Sequence, residues 1–337
     1  MNQLLQVKNL KTGFRKENGM QNVVHGISFH VNKGEIVGIV GESGCGKSVT
    51  SLSIMRLLHD TPGEIVDGSV MFKGEDLTAL SERQMKKYRG NELSMIFQEP
   101  MTSLNPVLKI GRQLRETIQL HLNMSKKEAH QHAISMLKSV GIPRAEDVMN
   151  DYPHQLSGGM RQRVMIAIAI SCNPSLLIAD EPTTALDVTI QAQILSVLKD
   201  VQKQNEMGIL MITHDLGVVA EVCDRVVVMY AGRIVESATV EELFAAPKHP
   251  YTKGLIASVP KIGQGINRLY SIPGTVPSPS NMPTGCKFAP RCSQVMEICK
   301  TKEPDLIQMK EHDCRCWLYQ EKEQEVEHIE KGSSARG

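Results

Sequence analysis

Apolar residues in this chain fall into short uninterrupted runs and longer stretches with helical spacing. Glu35-Ile-Val-Gly-Ile-Val40 is a short run that opens into a Gly-rich loop. It predicts a buried strand within a β-rich segment over residues 1–40. Residues 48–58 (SVTSLSIMRLL) hold no Gly or Pro and keep an apolar period, so a helix is predicted directly after the loop. Further helices are predicted over 100–150. There Ser125 with Glu128 makes a capping box, Ala129, Ala133, Met136, Leu137 and Val140 share one face, and Gly141 with Pro143 stops the helix. From 174 to 240 the runs return as Leu176-Leu-Ile-Ala-Asp180, Ile209 to His214 and Arg225 to Tyr230. A helix from about Thr189 to Gln204 and a shorter one separate them. Such alternation predicts a mostly parallel sheet with helices on it. Pro and Gly thicken over 260–285, which predicts a linker. Residues 321–337 are charged and end in GSSARG, which predicts a frayed tail. No internal repeat is visible, so a single copy of the unit is expected.

Composition narrows the class. With 337 residues the chain has room for about two domains. Its 41% hydrophobic and 22% charged residues match an ordinary globular protein. Lys and Arg number 38 against 37 Asp and Glu, so no global basic field is available to hold nucleic acid. The longest strongly apolar run, Val164 to Cys172, is far below the ~20 residues of a membrane span. Met1 to Gly13 lacks the pattern of a signal peptide. A chain on the cytosolic side is expected, at a membrane only if a partner holds it there.

Two motifs carry chemistry. Gly41-Glu-Ser43-Gly44-Cys45-Gly46-Lys47-Ser48, followed by Val49, fits G-x-x-x-x-G-K-[ST] between a predicted strand and a predicted helix. Its glycines let successive N–H groups turn inward on phosphates, and the helix N-terminus adds its positive end. Lys47 then reaches the β- and γ-phosphates of a nucleotide, and Ser48 ligates Mg²⁺. The second motif is Asp180-Glu181 at the end of an apolar strand. Asp180 is placed to hold Mg²⁺ and Glu181, pointing the other way, to polarise an attacking water. Taken alone, the pair is equally a solvated turn before Pro182.

Further segments resemble one family. Leu156-Ser157-Gly158-Gly159-Met160-Arg161-Gln162-Arg163 resembles the signature motif of ABC transporter ATPases. Gln98 in Ile96-Phe-Gln98-Glu-Pro-Met resembles the Q-loop glutamine, Ala185-Leu186-Asp187 the D-loop, and His214 in Ile212-Thr-His214-Asp the switch histidine. The resemblance covers about residues 4–320. It implies an α/β fold with a P-loop core: a RecA-like mixed sheet, an antiparallel β subdomain and a helical subdomain at about 100–165. It implies ATP and Mg²⁺ as ligands, with the metal at Ser48, Gln98 and Asp180 and the catalytic roles at Glu181, His214 and Gln98. Ser157, Gly158 and Gly159 would serve the ATP of a second cassette in a head-to-tail dimer, with the D-loop Asp187 nearby. Phe14 is the residue expected to stack on adenine, the alternative being a core position. Soluble ABC ATPases that act on nucleic acid are disfavoured, because there is one cassette, no room for a long coiled coil and no basic arm.

The cysteines refine the branch. Five of the eight, Cys286, Cys292, Cys299, Cys314 and Cys316, crowd near the C-terminus. Together with His249-Pro-Tyr-Thr-Lys-Gly-Leu they resemble the peptide-importer branch, with nickel importers as neighbours. That resemblance implies a [4Fe–4S] cluster on Cys286, Cys292, Cys299 and Cys316, with Cys314 the rival fourth ligand. Zinc or free thiols remain the alternatives. It also implies a cassette over 1–258, a Cys-rich extension over 259–320 and a tail over 321–337. The implied partners are a second, paralogous ATPase, two transmembrane permease subunits contacted near Pro100–Pro106, and a peptide-binding protein outside the membrane. The chain itself would be peripheral to the cytoplasmic face.

Overall fold

The computed structural model describes residues 3–17, 19–59, 61–98, 103–184, 187–259, 270–309 and 312–320. Two sheets organise them. The first runs in the order β2-β1-β4-β5, all antiparallel, from β1 (Gln3–Lys16), β2 (Gly19–Asn32), β4 (Gly63–Phe72) and β5 (Glu75–Asp76). The second follows the order β11-β12-β10-β9-β3-β8-β7-β6. Its parallel half comprises β6 (Leu93–Ile96), β7 (Leu176–Asp180), β8 (Gly208–Thr213), β3 (Ile36–Val40) and β9 (Arg225–Tyr230). Strands β3 and β7 are buried at every residue and lie between parallel neighbours, which is why they read as continuous apolar runs without alternation.

Antiparallel strands close the other side: β10 (Arg233–Thr239), β11 (Ile307–Met309) and β12 (His312–Cys314). The sheet is therefore mixed, as the resemblance implies, with the parallel half that the alternation predicts. Of the C-terminal cysteines, Cys314 lies in these strands. Cys314 pairs with Glu236 of β10, and Phe288 is buried against Tyr230 and Tyr251. The predicted boundary at 258–259 borders residues 260–269, which lie outside the described residues, as do the first part of the predicted linker and the predicted tail at 321–337.

Helix α1 (Lys47–Ile54) follows β3 as predicted but stops four residues short of the predicted end. The Leu57 N–H donates to Leu52 O and the Arg56 N–H to Ser53 O, with Arg56 at φ 52°, so a left-handed Schellman cap ends it. The Arg56 guanidinium then holds the exit by donating to the carbonyls of Leu77 and Leu80. After α2 (Glu82–Tyr88), the predicted helical segment contains α3 (Ile110–His121), α4 (Lys126–Ser139), α5 (Ala145–Val148) and α6 (Gly158–Ile170). The capping box at Ser125 and Glu128 forms as predicted. Ile110, Leu114 and Ile118 of α3, Ala129, Ala133 and Leu137 of α4, and Val164 and Ile166 of α6 share one core with Leu177 and Ile209 of the large sheet. The remaining helices are α7 (Val188–Asn205), α8 (Leu216–Val222), α9 (Val240–Ala245), α10 (Pro250–Ala257) and α11 (Glu297–Thr301).

Candidate active site

The loop between β3 and α1 is built by two glycines with distinct tasks. A Cβ on Gly41 would sit 2.2 Å from the Met229 carbonyl oxygen, so only Gly lets the loop leave the sheet there. Gly46 caps α1 at φ 102°, a left-handed conformation that favours Gly. Ser43 and Gly44 are exposed at the crest, Cys45 is buried beneath it, and Val49 is half-buried inside α1. The buried Lys47 donates through Nζ to the carbonyls of Gly41 at 2.7 Å and Glu42 at 3.3 Å. Ser48 Oγ donates to Asp180 Oδ1 at 3.2 Å. Burial pushes the Asp180 carboxyl up, and the adjacent Glu181 pushes the same way against the hydrogen bond from Ser48. A nearby divalent cation would reverse that balance, so the hydroxyl–carboxylate pair fits Mg²⁺.

Three groups converge on Glu181. Its Oε2 accepts from Gln98 Nε2 at 3.0 Å and from Thr184 Oγ1 at 2.9 Å, and its Oε1 lies 3.2 Å from His214 Nδ1. Glu181 adopts φ 49°, while its N–H still donates to Ile212 O at the end of β8. The left-handed turn swings its side chain away from that of Asp180. Burial alone would push the Glu181 carboxyl up. Hydrogen bonds from Thr184 and His214, with the charge of Lys47, outweigh burial and hold it below the usual carboxylate range. A carboxylate ionised at neutral pH and held from three sides is equipped to act as a base. The sequence reading singled out Gln98, Glu181 and His214 but missed Thr184. A hydroxyl three residues past an acid at a strand end was the available signal.

Ser157 is the N-cap of α6, its Oγ accepting from the Met160 N–H at 3.3 Å. Ser157 and Gly158 are exposed, while a Cβ on Gly159 would lie 2.9 Å from Ile190 Cγ2 of α7. Asp187 caps that helix by accepting from the Ile190 N–H at 2.9 Å, so the signature and the end of the D-loop adjoin. Ala185 and Leu186 lie outside the described residues. Among the described residues, no hydrogen bond or ion pair joins Ser157, Gly158 or Gly159 to the loop Gly41–Ser48. Phe14 is half-buried on β1, opposite Gln21 and Gly63, with its ring edge over Gly63.

The C-terminal thiols separate into four and one. Burial pushes the Cys316 thiol up to about 11 against a hydrogen bond from the Leu318 N–H, and the nearby Cys286, Cys292 and Cys299 add to the upward push. Burial pushes the Cys286 thiol up, opposed by the backbone N–H groups of Phe288 and Ala289, and Gln294 N donates to Cys292 Sγ at 3.4 Å. Cys314 is fully buried in β12, where burial and the Glu236 carboxylate both disfavour a thiolate. Among the described residues, no three or more His, Cys, Asp or Glu side chains are close enough together to hold a metal ion. The four thiols influence one another electrostatically without forming a ligand cage.

Comparison with known proteins places this geometry. Residues 24–184 match the ABC transporter family, and residues 235–299 match the C-terminal region of oligopeptide/dipeptide transporters. The oligopeptide transport ATP-binding protein AppD of Bacillus subtilis is 58% identical over 95% of this chain and 98% of its own length. The dipeptide transport ATP-binding protein DppD of the same organism is 49% identical over the whole of both chains. The dimeric structure of MJ0796, a bacterial ABC transporter cassette, superposes with a TM-score of 0.63 at 26% identity, over 70% of this chain and 98% of that one. Taken with the phosphate loop, the Glu181 constellation and the Cys-rich extension, these likenesses show that the chain belongs to the ATP-binding subunits of the oligopeptide/dipeptide ABC transporter family.

Proposed function

We propose that this chain hydrolyses ATP as one cassette of an importer for oligopeptides or dipeptides, seated at the cytoplasmic face of a membrane. The observation that carries the reading is the convergence of Gln98, Thr184 and His214 on Glu181, beside the Ser48–Asp180 contact. The two Bacillus relatives, an oligopeptide and a dipeptide transport ATP-binding protein, support the substrate class. The loop N–H groups and Lys47 bind the β- and γ-phosphates, with Lys47 exchanging its carbonyl contacts for phosphate oxygens. Ser48 and Asp180, with Gln98 beside them, would hold the Mg²⁺ that offsets phosphate charge when bound. Glu181 accepts a proton from the attacking water, whose O–H electron pair stays on the oxygen. The water oxygen bonds to the γ-phosphorus as the bridging P–O bond breaks, leaving ADP and inorganic phosphate, while His214 orients that water and contacts the γ-phosphate. We assign adenine stacking to Phe14.

Ser157, Gly158 and Gly159 form a helix N-terminus, exposed at Ser157 and Gly158, suited to the γ-phosphate of a second, paralogous cassette. A head-to-tail dimer with Asp187 at its seam would satisfy both chains. Beside Gln98, a cavity of about 290 Å³ is lined by Ile96, Phe97, Leu104, Met165 and Ile168 among others, and Phe97 and Val107 are exposed nearby. Such an apolar hollow between the sheet and the helical segment suits a short helix from one of two permease subunits. Part of the adjoining segment, Pro100 to Thr102, lies outside the described residues. Among the described residues no helix is long and apolar enough to cross a membrane, so the permeases would supply the passage and an outer peptide-binding protein the substrate.

Glu181→Gln in the cell of origin should abolish uptake of a labelled mixed peptide pool and leave labelled nickel uptake unchanged. Loss of nickel uptake with normal peptide uptake would reverse the substrate assignment. For the extension, we infer a [4Fe–4S] cluster on Cys286, Cys292, Cys299 and Cys316, whose four soft thiolates suit it chemically and would have to draw closer together than they stand to hold it. Anaerobically purified chain should carry about four irons. Cys316→Ser should lose them and Cys314→Ser keep them; zinc in place of iron would refute the cluster.

A further inference from the structure

The second residue of the phosphate loop, Glu42, is held from outside the loop's own fold. Its N–H donates to Tyr251 Oη of α10 at 2.8 Å. Its carboxylate receives both arms of Arg291, Nη1 to Oε2 at 2.5 Å and Nη2 to Oε1 at 2.9 Å. The Arg291 side chain is 4% exposed and that of Glu42 31%. Arg291 is itself locked in place. Its Nε donates to Pro273 O at 2.8 Å, its Nη2 to Ile272 O at 3.3 Å, and its guanidinium lies over the rings of Tyr230 and Phe288. It ends a single 3₁₀ turn, Ala289–Arg291, bracketed by Cys286 and Cys292.

A carboxylate at this point works against the loop. The loop binds a polyanion through inward N–H groups, and a bare negative charge one residue from Gly41 repels it. A bidentate guanidinium both cancels the charge and fixes the carboxylate's direction. Lys47 also touches the Glu42 carbonyl, so displacing Glu42 would disturb the lysine that meets the phosphates.

We propose that Arg291, reaching from the Cys-rich extension, is a positioning residue for ATP. It neutralises and aims Glu42 so that the phosphate loop stays receptive, and any reordering of the turn between Cys286 and Cys292 changes ATP affinity. The inference rests on the ATP-binding reading above. It gives the extension a task at the nucleotide site, 249 positions away in sequence.

Calorimetric titration of the full chain with MgATP tests it. Arg291→Gln keeps bulk and a donor but removes the charge, and it should weaken MgATP binding about tenfold, a value tempered by the partial exposure of Glu42. Adding Glu42→Gln to that variant should restore affinity to within about threefold of the wild type, because the repelling charge is gone. Arg291→Lys keeps a cation beside Glu42 but loses the two-armed grip that aims the carboxylate, so it should weaken MgATP binding by about threefold, between the wild type and Arg291→Gln. If Arg291→Gln binds as the wild type does, or if the double variant binds no better than the single, Arg291 only anchors the extension and the proposal falls. Should Arg291→Gln not fold, Arg291→Lys carries the test: MgATP binding equal to the wild type would overturn the proposal, because the two-armed contact that aims Glu42 is lost there. Wild-type chain that does not bind MgATP, or a Lys47→Ala variant that binds it equally well, would instead overturn the ATP-site reading, and this inference with it.

Discussion

Glu181→Gln should leave MgATP bound and lower turnover by about 10²–10⁴-fold, the range for a positioned general base. The amide has the shape of the carboxylate. It still accepts from Gln98 or Thr184, and a rotated Thr184 hydroxyl can accept from its N–H. The local scaffold therefore survives while the proton acceptor is lost. The Asp180–Ser48 contact and the Lys47 contacts involve no atom of the Glu181 side chain, so ground-state binding should not change. Single-turnover hydrolysis in the assembled transporter, measured beside equilibrium ATP binding, separates the two effects. Near-normal hydrolysis would remove Glu181 from the role of base. A parallel loss of binding would mean that the residue shapes the loop instead.

Glu236→Ala should lower unfolding free energy by about 3–5 kcal/mol, as removal of one partner of a buried charged network does. Glu236 is fully buried in β10 and accepts from His312 Nε2 at 2.6 Å and from the N–H groups of Lys248 at 2.6 Å and His249 at 2.8 Å. Truncation leaves the buried His249 and His312 donors, and the part-buried Lys248 N–H, without that acceptor. The loss should appear as a lower urea midpoint at unchanged slope. A shift under about 1 kcal/mol would mean that water enters and replaces the carboxylate.

The same cluster makes the fold acid-sensitive. Burial alone would push the Glu236 carboxyl up, but the His312 and backbone hydrogen bonds hold it below its usual range. Its contribution is present above the unfolded value and is lost as pH falls through the folded one. His249 acts earlier. Burial pushes its imidazole from 6.5 down to about 4, so it stays neutral while the unfolded chain takes up a proton below about pH 6.5. That term should cost about 2 kcal/mol at pH 5 relative to pH 8. His249→Asn keeps an acceptor for the Tyr251 N–H at the start of α10 and should remove this early limb of the pH profile.

The site was legible to different depths. The phosphate loop, the Asp180-Glu181 pair, Ser157-Gly158-Gly159 and His214 stood out because each chemical task needs contiguous backbone or a strand end, and both leave marks in adjacent residues. Helix α1 was predicted too long, since residues 55–58 have helical composition and no Gly marks the Arg56 cap. A buried glutamate in β10 gave no signal at all. A polar residue in a strand reads as solvent-facing, and the register shift between Ile234 and Glu236 that accompanies its burial depends on pairing with β9.

Local order along the chain was thus enough to establish the nucleotide chemistry and the family, because phosphate binding is done by short, consecutive segments. The partners of those segments came from the fold. Thr184 meets Glu181 through a left-handed turn, Arg291 meets Glu42 across 249 positions, and His312 meets Glu236 across 76. Side-chain pairs of that separation depend on which strands neighbour one another in the sheet, and neighbouring is a property of packing that no local spacing encodes.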